Sequence, residues 1–160
     1  MTEMDTDMTE SLARRAIIWS NGLTIDKQGV VWNGKVREPT TVLRTEHGVK
    51  QIATVIVTQE ETRVIPIWKL LSFFWYDKKI VLPRDGNAMD YSTKNVIVVG
   101  NITFSKNVPG IFDADEVLLI WARYCQGVSC FDMSSETKLY GYSIDSFRSL
   151  IGDILLAGIR

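Results

Sequence analysis

The chain has 160 residues, 46% of them hydrophobic and 10% aromatic, with a formal net charge of −1. That is enough apolar material for one sizeable core, with at most a small satellite domain, and it excludes a disordered chain. No stretch reaches the ~18–20 apolar residues of a membrane span, and the acidic start MTEMDTDMTE has neither the basic residues nor the apolar run of a signal peptide, so a cytosolic location with no membrane partner is expected.

Charge is unevenly spread. Residues 1–26 carry five acids against two bases, residues 27–106 twelve bases against seven acids, and residues 113–160 four bases against seven acids. A basic middle between acidic ends is how an electrostatic footprint confined to one module reads. Two cysteines, Cys125 and Cys130, and a single histidine, His47, are too few to build a four-ligand zinc site. The cysteines are expected to be buried, reduced thiols.

Residues 1–8 read as a loose acidic tail, and Thr9 as the cap of a short helix that places Leu12, Ala16 and Trp19 on one face and stops at Asn21-Gly22. From Leu23 the signals turn to strand. Leu23-Thr24-Ile25 and Val30-Val31-Trp32 flank the hairpin-type turn Asp26-Lys27-Gln28-Gly29, and Asn33-Gly34 is a second turn. Thr41–Arg44 and Lys50–Val57 form a further hairpin around Glu46-His47-Gly48, and Gln59–Thr62 turns the chain again. His47 is the one candidate for a base near neutral pH, but its place beside Gly48 reads as a surface turn.

The stretch that organises the chain runs from Arg63 to Val99. An apolar, aromatic run, Val64–Trp75, is followed by a short basic link, the turn Pro83-Arg84-Asp85-Gly86-Asn87, a second polar turn over Asp90–Asn95, and the strand-like Val96–Val99. The reading is strand, helix, turn and a return to strand. Asp85 and Asp90 with Asn87 invite a metal reading, but Asp, Gly and Asn also suit turn geometry, and the set falls short of a calcium loop, so no metal or other cofactor is expected. The wording of this stretch, with D-G-N at Asp85–Asn87 and Asn95 opening the last element, resembles the core of the HNH (ββα-metal) nucleases that occur as phage and intron-encoded homing endonucleases. The hairpins of residues 23–57 are similar to the leader those phage enzymes carry.

The resemblance implies a catalytic histidine at the close of the first strand and another two residues before the D-G-N aspartate. Here the first region reads Pro66-Ile67-Trp68 and the second position is Pro83. None of these side chains takes a proton near pH 7 or binds a catalytic metal, so no catalytic residue is assigned and the chemistry is expected to have been lost.

Asn107–Gly110 reads as a linker. Beyond it Asp113 caps a helix through Tyr124 and Gly127, with Val117, Ile120, Trp121 and Tyr124 on one face. Ser129 caps a second helix through Met133-Ser134. After the turn Tyr140–Ser143 comes a third, with Ile144, Phe147, Leu150, Ile151, Ile154 and Leu155 at helical spacing. Glu116-Val117, Ile120, Tyr124, Gly127-Val128-Ser129, Met133-Ser134, Tyr140-Gly141, Ser143, Ser146 and Phe147 resemble the helix-turn-helix found behind many phage HNH modules. The segment is acidic, however, with only Arg148 basic at the start of the third helix, and residues within Ser135–Lys138 interrupt the second.

The expected fold is therefore α+β: an acidic tail and short helix (1–22), small β-hairpins leading into a degenerate HNH-like ββα module (23–106), and a three-helix, helix-turn-helix-like module (113–160). The leading functional reading is a catalytically inactive, HNH-derived phage protein in the infected bacterial cytoplasm that binds double-stranded DNA or regulates through it. Its candidate contacts are Lys35, Arg37, Arg44, Lys50, Lys69, Lys78, Lys79, Arg84 and Lys94, with Arg148 from the third helix. The alternative is a virion component or an inhibitor docked on a phage or host protein, for which Trp32, Trp68, Trp75 and Trp121 would be anchors. An active nuclease, the third reading, needs a base the chain does not supply.

Overall fold

The structure, a computed structural model, describes residues 23–45, 47–57, 62–100, 112–136, 139 and 141–159. The expected tail and helix of residues 1–22 and the linker at Asn107–Gly110 lie outside the described residues. Among those described, the fold is mixed α and β: three small antiparallel sheets and four helices, ending in a long C-terminal helix.

The first sheet joins β1 (Leu23–Ile25), β2 (Val31–Asn33) and β3 (Val36–Arg37). Its first turn is organised by Asp26, whose carboxylate accepts from the backbone N–H of Gln28 and Val30 and from the Trp32 indole. Burial pulls this carboxyl up, but those hydrogen bonds and the charge of Arg37 outweigh it and hold Asp26 below its ordinary value. Gly29 closes the turn at φ +82°, where a side chain would crowd Ile67 and the carbonyl of Tyr91.

The second sheet joins β4 (Thr40–Arg44), β5 (Lys50–Val57) and β6 (Thr62–Pro66). Helix α1 (Ile67–Trp75) starts directly after Pro66, which fixes its own φ and ends β6. At the far end of α1 the buried hydroxyl of Ser72 donates to the carbonyl of Lys79 at 2.5 Å, while the Lys78 N–H returns to the Ser72 carbonyl at 2.9 Å. Asp77 and Lys78 sit at positive φ to make this reversal.

Next comes β7 (Ile80–Pro83), which the sequence reading passed over as a basic link. All four of its residues are buried, so no alternation marked it as a strand. It pairs with β8 (Val96–Val99), Ile80 opposite Val99 and Pro83 opposite Val96, across a twelve-residue loop, residues 84–95. A single 3-10 turn, Thr93–Asn95, leads into β8.

Three helices follow: α2 (Ala114–Cys125), α3 (Cys130–Ser134) and α4 (Ile144–Ile159). A full capping box starts α2, with Asp113 accepting from the Glu116 N–H and Glu116 from the Asp113 N–H. Ser129 caps α3 and Ser143 caps α4. Arg123 grips Glu136 through two guanidinium nitrogens, tying α2 to the chain beyond α3. Phe112 stacks on Phe147 of α4, and Tyr142 meets both rings at an angle. One buried cluster runs from Leu23 to Ile154, so the hairpins and the C-terminal helices share a core.

Two details differ from expectation. Leu155 was placed on the buried stripe of α4, but it lies one position past Ile154 and is exposed. Cys125 was expected to be buried. It ends α2 at the surface, and Cys130 is half-buried, both as free thiols.

Candidate functional site

The loop between β7 and β8 is where the sheets and helices meet. Its own geometry is set by Asn95. The side-chain amide of Asn95 donates to the Asp85 carboxylate at 2.9 Å and to the Asp90 carbonyl at 2.7 Å, and its oxygen accepts from the Asp85 N–H at 3.2 Å. The loop thus closes on itself at both ends. Within it Asp85 accepts from the Asn87 N–H, Asn87 from Met89 and Asp90 from Ser92, each residue bonding the backbone two positions on.

Elements remote in sequence then hold the loop from several sides. The Trp121 indole of α2 donates to the Pro83 carbonyl at 2.6 Å in a buried position. Ile52 of β5 donates to the Ala88 carbonyl at 2.9 Å, continuing the sheet edge past the end of β6. The first hairpin reaches in through Gln28, which accepts from the Thr93 N–H, and through the Lys27 carbonyl, which accepts from the Thr93 hydroxyl. Arg84 donates to the Gly158 carbonyl at 2.8 Å, a cation set on the negative end of α4. Gly86 lies against Cys125, and burial together with the Asp85 charge raises the thiol pKa.

This geometry decides what the acids of the loop are doing. Asp85, Asn87 and Asp90 each spend an oxygen on backbone N–H groups, and no cluster of metal-ligating side chains occurs among the described residues. The backbone carbonyl of Pro83 is occupied by Trp121, and its side chain has no proton to give or take. His47 stands half-buried in the β4–β5 turn, in another part of the fold. The loop is a structural junction, held by α2, β5, the first hairpin and the end of α4.

Of the ten candidate bases, nine are exposed and Lys69 is half-buried with its ammonium 5.8 Å from the Trp68 ring centre. They are not brought to one place. Lys35 and Arg37 belong to the β2–β3 hairpin, while Arg44 and Lys50 face each other across β4 and β5. Lys78 and Lys79 follow α1, and Lys94 is in the 3-10 turn. Arg148 lies beside Asp145, 3.8 Å away on the exposed face of α4. Arg84 donates to the Gly158 carbonyl at the end of α4 while remaining exposed. Its partner, 74 residues distant, gave the sequence reading no signal.

Among the described residues Trp32 is half-buried and Trp75 is 46% exposed. Trp68 and Trp121 are buried, and the indoles of Trp32, Trp75 and Trp121 donate to Asp26, the Ile25 carbonyl and the Pro83 carbonyl. Sequence reasoning missed Tyr91. It is 3% exposed, and its hydroxyl has no hydrogen-bond partner among the described residues. Burial pushes that phenol far up, so it stays protonated. An unpaired buried hydroxyl is a cost, so Tyr91→Phe should leave stability unchanged or raise it by up to ~1 kcal/mol in a denaturant titration. A fall of that size would show that the hydroxyl has a partner in solution.

Comparison with known protein families, curated proteins and solved structures gives no match.

Proposed function

We propose that this protein is a catalytically inactive derivative of the phage HNH endonucleases, retained to bind double-stranded DNA or to regulate through it in the infected bacterial cell. The observation that carries the reading is the loop of residues 84–95. It keeps the D-G-N turn and the Asn95 that the resemblance rests on, with Asp85 and Asp90 each giving an oxygen to a backbone N–H. Pro66-Ile67-Trp68 stands where the resemblance places the base, and Pro83 where it places a second histidine.

The DNA half of the reading is supported by exposed positive charge. Arg44 and Lys50 are directly opposite in the β4–β5 register, both exposed. Like charges so placed repel in the free protein and are relieved by an anion such as phosphate. Lys35 and Arg37 add exposed charge on the neighbouring hairpin. The helix-turn-helix-like segment is assigned a packing role in this proposal. The exposed face of α4 carries Asp145 and Asp153 against Arg148, and an acidic helix gains little from the phosphate backbone.

The test is a titration of labelled generic duplex. With about four phosphate contacts, affinity should fall roughly a hundred-fold between 50 and 200 mM salt. Removing two contacts in Arg44→Ala/Lys50→Ala should flatten the logarithmic salt slope by about 2. No binding at low salt sinks the reading. A second reading, a virion or host-protein-docking component, is favoured by the apolar side chains left uncovered at the end of α4, Leu155, Leu156 and Ile159.

A further inference from the structure

The sheet formed by β7 and β8 has two strands, and β8 leaves one edge open among the described residues. The phase of the ladder fixes what that edge presents. The Arg84 N–H donates to the Asn95 carbonyl, so the bonded pairs continue at Leu82–Ile97 and Ile80–Val99. Val96 and Val98 therefore direct their backbone groups outward. The Val96 carbonyl takes a long bond of 3.4 Å from Arg84, while Val98 has no partner for its outward groups among the described residues.

Along this edge runs a groove of about 390 Å³. One wall is the strand from Val96 to Gly100, and the other is the flank of α4 at Asp153, Leu156 and Ala157. Leu156 is 62% exposed and Ile159, one turn on, is 82% exposed, so the apolar wall continues outward. A cation stands at each end. Lys79 lies against Gly100, and Arg84 lies beside Val96 and Gly158. Asp153 is the one acid on the lining.

We infer that the open edge of β8 and the adjoining flank of α4 form a docking groove for an extended segment of a partner protein, one with alternate apolar side chains and acidic residues at its ends. Four residues of added strand span about 13 Å and match the length of β8. Main-chain bonds to Val98 supply affinity, and Leu156 receives the alternate side chains. The cations at the two ends set the acidic flanks, and Asp153 excludes an acid from the middle and disfavours a polyanion along the groove. The inference stands independently of the DNA reading.

The test is selection from a displayed library of random heptapeptides on the immobilised full chain. Enriched sequences should alternate Val, Ile or Leu with polar residues and carry Asp or Glu near their ends. An enriched peptide should lose about ten-fold or more in affinity against Leu156→Glu and against Lys79→Glu. Both positions are exposed, so the circular dichroism spectra should be unchanged. A central proline in the peptide should also remove binding, because strand addition needs that N–H. Four outcomes overturn the inference. They are no enrichment, as a groove filled by the chain itself would give; basic or unpatterned peptides; equal affinity for both variants; and displacement of the peptide by duplex DNA.

Discussion

Gly86→Ala should be among the most destabilising single substitutions in the protein, costing about 3 kcal/mol. Two effects add. Gly86 sits at φ +80°, where an alanine loses roughly 1–2 kcal/mol to its own backbone. A Cβ built there would also lie 2.6 Å from the Cβ of Cys125, which the last turn of α2 holds in place, and 3.0 Å from its Sγ. Forcing the helix end back is an overpacking change worth about 1–3 kcal/mol. For a chain of this size the melting temperature should drop by roughly 6–12 °C, read by circular dichroism. Gly34→Ala supplies the control. It has φ +62° and nothing within 4 Å of an added Cβ, so it should show the backbone cost alone. Equal losses at the two sites would mean that the loop does not bear on α2.

Asn95→Ala should cost nearly as much, about 2–3 kcal/mol. It removes the amide donors to Asp85 and Asp90 and the acceptor for the Asp85 N–H, at roughly 1 kcal/mol each. Asn95→Asp keeps the acceptor but loses both donations and sets a second carboxylate against Asp85, so it should not rescue. The damage should spread beyond the loop. Amide exchange should quicken at Ile52, which lies in β5 and bonds the Ala88 carbonyl. Confinement of the change to residues 85–95 would show that the loop is an appendage and not a junction.

How much of this was legible in the sequence differs by element. The hairpins of residues 23–57 were, because their alternation and their Asp, Asn and Gly turns are local signals. Ile25 nonetheless pairs with Val31, one residue beyond the expected start of β2, and Asn33, read as turn, pairs with Val36. The starts of α2, α3 and α4 were legible for the same reason, since Asp113, Ser129 and Ser143 are caps that act within three residues. β7 was not, because Ile80–Pro83 are buried throughout and a continuous apolar run carries no period. The junction was half legible. Asp85, Gly86, Asn87 and Asn95 stood out as a turn, and the absence of a titratable side chain at Pro83 could be read directly. What the turn is for could not, because Ile52, Trp121 and Gly158 are distant in the chain and nothing local marks them as its partners. Arg84 shows the same gap: the basic stretch 27–106 makes it a candidate DNA contact, and nothing local marks the Gly158 carbonyl at the end of α4 as its partner.

We propose that a nuclease-like loop has become a junction while exposed bases elsewhere on the fold, led by Arg44 and Lys50, still meet DNA. The most direct test of this proposal is incubation with duplex DNA at low salt and 5 mM manganese, with one half run on a native gel and the other on a denaturing gel. The expected result is a retarded band on the first and intact strands on the second, with retardation lost as salt rises. Cut strands that disappear when Asp85 or Asn95 is replaced would contradict it, because the loop would then be performing the chemistry assigned here as lost.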